Sequence, residues 1–226
     1  MFLVVPTLRP AENLFEDWMF IFFILSGGFF SFYYAFYHTK IKNVIRAFRS
    51  DVLMRQLMRE ENITPRSHFF LVLLHAASVS LLVVLTLMHF FELQINSWTL
   101  FLIVWLGVLM MYTLKWLGIR IVQWLVDGDF TLIEYSYRTF ATNRIMAMVL
   151  FPLLVWITLM DQSWLHSALI GAWLIIGAAW CWRILKGAWV AFQARVPLFF
   201  IFFYICTLEI LPIAIGLKIF FNSMGN

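Results

Sequence analysis

Charge is the scarcest thing in this chain. Only 12% of its 226 residues are Asp, Glu, Lys or Arg, where a soluble domain carries about a quarter. A soluble core of this length could not hide the 63% of residues that are hydrophobic, so lipid has to cover the rest. Mean hydropathy is +0.89. Cysteine is nearly absent too. Cys181 and Cys206 both fall inside apolar runs, which predicts free, packed thiols rather than a disulfide framework. Met1 to Pro10 lacks a basic start, no small-residue cleavage site follows the first long apolar run, and no lipobox-like cysteine lies near the start. No cleavable signal peptide is therefore expected. Recognisable chemistry is missing as well. There is no Walker loop, no H-E-x-x-H, no G-x-S-x-G and no paired cysteines for zinc or iron–sulfur. No span bears two histidines at a haem-ligating spacing, and no aspartate pair marks a metal–diphosphate transferase. No metal and no cofactor is expected, and catalysis is disfavoured, because a base and an electrophile stabiliser at one depth are not in view.

What is present is hydrophobic length. A span needs about 20 apolar residues. Six runs qualify: Trp18 to Tyr37, His68 to Phe91, Trp98 to about Arg120, Asn143 to Met160, Leu165 to Ile184 and Pro197 to Phe220. The expected fold is all-α, a polytopic transmembrane helical bundle of six spans, with residues 1–226 as a single integral membrane domain. The third run keeps its pattern to Val126, about 45 Å of helix, and so projects beyond the bilayer. Asp127-Gly128-Asp129 is its natural stop. The fourth run is short and is completed by residues before Asn143 or tilts little.

Basic residues set the orientation. Lys40, Lys42, Arg46, Arg49, Arg55, Arg59 and Arg66 lie between runs one and two; Lys115, Arg120, Arg138 and Arg144 around the third connection; Arg183, Lys186 and Arg195 before run six. The connections 92–97 and 161–164 hold none, and only Arg9 and Lys218 fall on the other side. The positive-inside rule then places both termini outside the cytoplasm, periplasmic in a Gram-negative cell. The net charge of +4 reflects this topology and attraction to anionic lipids at the cytoplasmic face, not a nucleic-acid footprint.

Two cytoplasmic stretches look ordered. Lys40 to Glu61 spaces Ile41, Val44, Ile45, Phe48 and Val52 helically among arginines. It reads either as a helix in the headgroup plane or as an extension of span one. Phe130 to Arg144, with Glu134, Tyr135, Tyr137 and Phe140, feeds span four, docks a partner, or packs on the projecting end of span three. Arg46, Arg49, Arg55, Arg59, Glu134, Arg138 and Arg144 form the expected cytoplasmic surface.

One carboxylate interrupts an apolar run. Glu209 lies twelve residues past Pro197, about 18 Å into the sixth run and near the bilayer centre. Three residues on, Pro212 has no N–H, so the Leu208 carbonyl loses its usual partner. A carboxyl group and a freed carbonyl within one turn can bind a proton, a cation or a polar headgroup, and intramembrane acids are rarely idle. A protonated glutamic acid that fixes helix packing is the plainer reading. Tyr204 and Cys206 precede Glu209 by a little over one turn and by three residues. By depth, His75, Ser78 and Lys115 are its possible partners, although His75 reads first as a core histidine and Lys115 as a snorkelling rim lysine. Small residues Ala168, Gly171, Ala172, Ala178 and Ala179 line run five, as an internal packing face or an oligomer seam.

The segment Tyr204-Ile-Cys-Thr-Leu-Glu209-Ile-Leu-Pro212 resembles the C-terminal C-x-L-E-I-x-P signature of an uncharacterised family of bacterial inner-membrane proteins, domain of unknown function 4271, typical of Bacteroidota. Leu114-Lys115-Trp116-Leu117 and Phe151-Pro152 are similar as well. The resemblance covers nearly the whole chain from span one onward and implies a multi-pass protein of the bacterial inner (cytoplasmic) membrane. It brings no activity. Two functional readings follow. In the first, a non-enzymatic subunit or accessory of an envelope complex serves secretion, insertion or lipid handling, with other membrane proteins as partners. In the second, a small transporter or lipid translocase uses Glu209 as its proton or substrate site.

Overall fold

The computed structural model describes residues 17–61, 66–91, 96–125 and 130–193, together with 214 and 218. Its elements are α1 (Asp17–Arg49), α2 (Asp51–Glu61), α3 (Arg66–Phe91), α4 (Ser97–Leu125), α5 (Phe130–Leu159) and α6 (Gln162–Gln193). All regular structure among the described residues is helical. Hydrocarbon offers no water to backbone N–H and C=O groups, so a helix that satisfies them internally is the form each apolar run has to take.

Five helices are long and apolar enough to cross a membrane: Asp17–Thr39, Leu71–Phe90, Ser97–Gly118, Tyr137–Leu159 and Ser163–Trp189. They match the first five expected runs. The sixth, 197–220, lies outside the described residues apart from Ala214 and Lys218, which are helical and exposed. The fourth span begins at Tyr137, so residues before Asn143 complete the short fourth run, one of the two expectations for it. The polar stretch ahead of Asn143 continues the same helix, and the neighbouring helices bury its Thr139, Thr142 and Asn143. α4 runs 29 residues, about 44 Å, past the end of its apolar window at Gly118, and so projects as expected.

Burial separates centre from rim. Half or more of the α3 and α5 spans is buried (61% and 50%), against 17% for α1 and 11% each for α4 and α6. α3 and α5 pack most extensively on each other; α4 lies against α3, α6 against α5, and α1 against α5 and α2. The main core joins Met19 of α1, Leu81, Leu82 and Leu85 of α3, Phe101 of α4, Leu154 and Ile157 of α5, and Leu165, Leu169 and Ala172 of α6. Of the small residues of α6, Ala172 is buried, Ala168, Gly171 and Ala179 are half-buried and Ala178 is exposed. At the α1–α5 crossing, the Phe151 ring lies 6.3 Å from that of Phe23 and 6.0 Å from that of Phe30. A Cβ at Gly27 would meet the same ring at 3.6 Å.

The two ends of the bundle differ chemically. At one end Trp18 Nε1 donates to Ser97 Oγ at 3.2 Å, Trp18 meets Trp98 edge-on at 5.3 Å, and His89 faces His166 at 5.9 Å. Asn96 caps α4 there, its Oδ1 accepting from Trp98 N at 3.0 Å. No lysine or arginine of α1–α6 belongs to that end; all lie toward the other. α1 passes Tyr37 in a non-helical conformation (φ −123°, ψ 16°) and continues to Arg49. Ser50 then separates it from α2. Span one is therefore extended, through a kink, and a distinct helix follows. Met54 of α2 is buried with Val44 and Ala47 of α1 and Ala141 of α5, while Val52 and Leu53 face outward.

Candidate functional site

Polar side chains gather where α5 and α6 meet at the basic end. α5 does not break at its polar stretch, so helices wall in its residues on several sides. Arg138, Thr139, Thr142, Asn143 and Arg144 are all buried. Arg138 and Arg144 were expected on the cytoplasmic surface; they lie instead buried within the bundle, on a helix that packs against α2, α3 and α6. Arg46 and Arg55 are exposed as expected. Arg49, Arg59 and Glu134 sit on α1, α2 and α5 respectively, and their side chains fall outside the description.

Some of these groups have a local partner, while Thr139 Oγ1 has no hydrogen-bond partner among the described residues. Thr142 Oγ1 donates to the Arg138 carbonyl at 2.9 Å, one turn back along the helix. Arg183 of α6 donates through Nη1 to Asn143 Oδ1 at 3.5 Å, a bond across forty residues. The Arg144 guanidinium lies 5.9 Å from the Tyr137 ring centroid, and the Lys186 ammonium 5.6 Å from that of Trp182. Both are cation–π distances. Met54, Arg138, Thr142, Trp182, Arg183 and Lys186 line one narrow cleft with a cavity volume of only about 10 Å³.

Deeper in the span, α3 contributes His75 and Ser78, both buried and one turn apart. The His75 ring is 6.0 Å from that of Tyr112. His75 Nδ1 and Ser78 Oγ have no hydrogen-bond partner among the described residues. Ser80 and Thr86 are satisfied by the carbonyls four residues back, both at 2.7 Å. Lys115 is half-buried on α4, three residues past Tyr112. Thus the structure buries His75 and Ser78 one turn apart on α3. Glu209, Pro212, Tyr204 and Cys206 lie outside the described residues, so the pairing expected with Glu209 does too. Cys181 is a free, exposed thiol.

A second, larger cavity of about 210 Å³ lies between α1, α3 and α4. Phe29, Phe30, Tyr33, Leu71, Leu74 and Trp105 are among its lining residues. Its wall is apolar and suits hydrocarbon. Among the described residues no three of His, Cys, Asp and Glu gather closely enough to hold a metal ion.

Sequence reasoning missed Asn143, Trp182, Arg183 and Lys186 as site residues. The available signal was the position of Arg183 and Lys186, one turn apart and directly after an apolar run. Comparison with known proteins gives a single kind of match. The sequence model of one family, Domain of unknown function (DUF4271), matches residues 19–220. No curated protein and no solved structure matches the chain.

Proposed function

The chain belongs to the DUF4271 family, and we propose that it is a non-enzymatic subunit or accessory of a membrane-embedded envelope complex in the bacterial inner membrane. One observation carries this reading. α4 and α6 bury only 11% of their spans, and the uncovered faces are rich in large side chains: Ile103, Leu106, Met110 and Leu114 on α4; Trp173, Leu174, Trp182 and Leu185 on α6. In a bilayer, helix association is driven by packing rather than by escape from water. Long, uncovered apolar faces on two rim helices are where partner helices would seat.

A photo-crosslinking residue placed at Leu106 or Leu174, both exposed, tests this in cells. A discrete crosslinked membrane protein is the expected product, with none from Leu154 in the core. Crosslinks to lipid alone from both exposed positions would overturn the proposal.

A second reading, a small transporter or translocase working through Glu209, is favoured by one feature. His75 and Ser78 place buried polar atoms within a span, and such groups mark ion or substrate paths in membrane proteins. Glu209→Gln keeps shape and hydrogen bonding but removes the charge. Under this reading the variant folds normally and loses transport, whereas full function in Glu209→Gln would reject it.

A further inference from the structure

We propose that His89 and His166 form a two-histidine site for a borderline divalent transition metal, Cu²⁺ or Zn²⁺, at the end of the bundle opposite the basic residues. The proposal depends neither on partner subunits nor on Glu209. Packing of α3 on α6 brings the two rings together. Leu85 of α3 and Leu165 and Leu169 of α6 share one buried cluster. His89 lies one turn beyond Leu85, and His166 directly follows Leu165. Their ring centroids are 5.9 Å apart, and the Phe90 ring lies 5.1 Å from each of them. His89 is half-buried and His166 exposed. Among the described residues neither ring has a hydrogen bond or an ion pair, so a metal would displace only water from their nitrogens.

The spacing suits chelation. A metal lies in the plane of each ligating imidazole, about 2.0–2.1 Å from the nitrogen and about 3.2 Å from the ring centroid. Two such rings have centroids about 5.2 Å apart at a tetrahedral angle and about 6.4 Å apart when opposite one another. The observed 5.9 Å falls between these limits. The rings are inclined at 55° rather than stacked face to face. Rotation about χ2, a broad and soft torsion for a ring, is enough to turn their lone pairs toward one point. Electrostatics agree. His89 lies in the last turn of α3, where the helix dipole favours a cation. His166 lies past the first turn of α6, beyond the reach of that helix's positive end. Asp17 and Asp161, both exposed, give this end negative charge. Imidazole selects the metal: it suits copper and zinc, whereas magnesium and calcium want oxygen ligands. Two protein ligands leave the remaining positions to solvent. A bound ion would fasten the rim helix α6 to the central helix α3.

The test uses the full-length protein, free of any affinity tag, in mild detergent. Calorimetric titration with Cu²⁺, Zn²⁺ and Mg²⁺ reads affinity, and electron paramagnetic resonance of the Cu²⁺ form reads its ligands. Cu²⁺ is expected to bind tighter than Zn²⁺, with hyperfine splitting from two imidazole nitrogens, and Mg²⁺ not to bind. His89→Asn and His166→Asn each weaken Cu²⁺ by at least about tenfold, the loss that follows even from disturbing an outer-shell partner. His38→Asn removes an exposed histidine at the basic end and leaves binding unchanged. Because the ion joins two helices, Zn²⁺ also raises the dodecyl sulfate content needed to unfold the wild type, and has no such effect on His166→Asn. Cu²⁺ affinity unchanged in both variants, a spectrum with a single nitrogen, a loss in His38→Asn equal to theirs, or the same Zn²⁺ shift in His166→Asn would overturn the proposal.

Discussion

Leu154→Ala separates packing from lipid exposure in this bundle. Leu154 is fully buried at the meeting of α3 and α5. In a soluble protein such a truncation costs about 3–5 kcal/mol. Part of that, about 1.5–3 kcal/mol, is the transfer of the side chain out of water. Here the separated helices remain in hydrocarbon, so the transfer part vanishes and only lost contacts and the cavity count. The remainder is about 1–3 kcal/mol. Leu174→Ala, on the exposed flank of α6, opens a space that lipid tails refill, and it costs less than about 0.5 kcal/mol. Reversible unfolding in mixed micelles of rising dodecyl sulfate content, followed by far-UV circular dichroism, measures both. Equal costs at the two positions would refute the arrangement in which α3 and α5 are central and α6 lies at the rim.

Three further outcomes are expected. Gly27→Ala is tolerated, because its Cβ meets the Phe151 ring at an ordinary contact distance of 3.6 Å, and helix propensity favours it by up to about 1 kcal/mol; the same unfolding titration shows no loss. Trp18→Phe keeps the ring but deletes the bond to Ser97, lowering stability by about 0.6 kcal/mol, the average for hydrogen bonds between membrane helices. A spin label at Val52, the exposed apolar position of α2, is more accessible to oxygen than to a water-soluble nickel chelate if α2 lies in the headgroup plane; the reverse ratio would place α2 in water.

The five described spans were legible because each is a long apolar run, and hydrocarbon length is a local property of sequence. The kink at Tyr37 was not, since no proline or paired glycine marks it. The start of span four was legible only as one of two alternatives. Arg138 and Asn143 read as rim residues on a hydropathy scale, yet packing around α5 buries both. The same cause hid the basic pocket. Arg183 meets Asn143 only through packing of α5 on α6, and nothing in the spacing of one helix reports the rotation of another. His75 was read as a core histidine, and its burial agrees.

Sidedness is the most direct test of the whole account. In a background carrying Cys181→Ser and Cys206→Ser, single cysteines are placed at Asn96 and Asp161, at one end of the bundle, and at Asn43 and Arg120, at the other. All four positions are exposed. An impermeant maleimide applied to spheroplasts should modify Asn96→Cys and Asp161→Cys at once, and Asn43→Cys and Arg120→Cys only after the membrane is opened. Labelling of Arg120→Cys in intact spheroplasts, or labelling of Asn96→Cys and Asp161→Cys on different sides, would contradict a bundle whose basic end faces the cytoplasm.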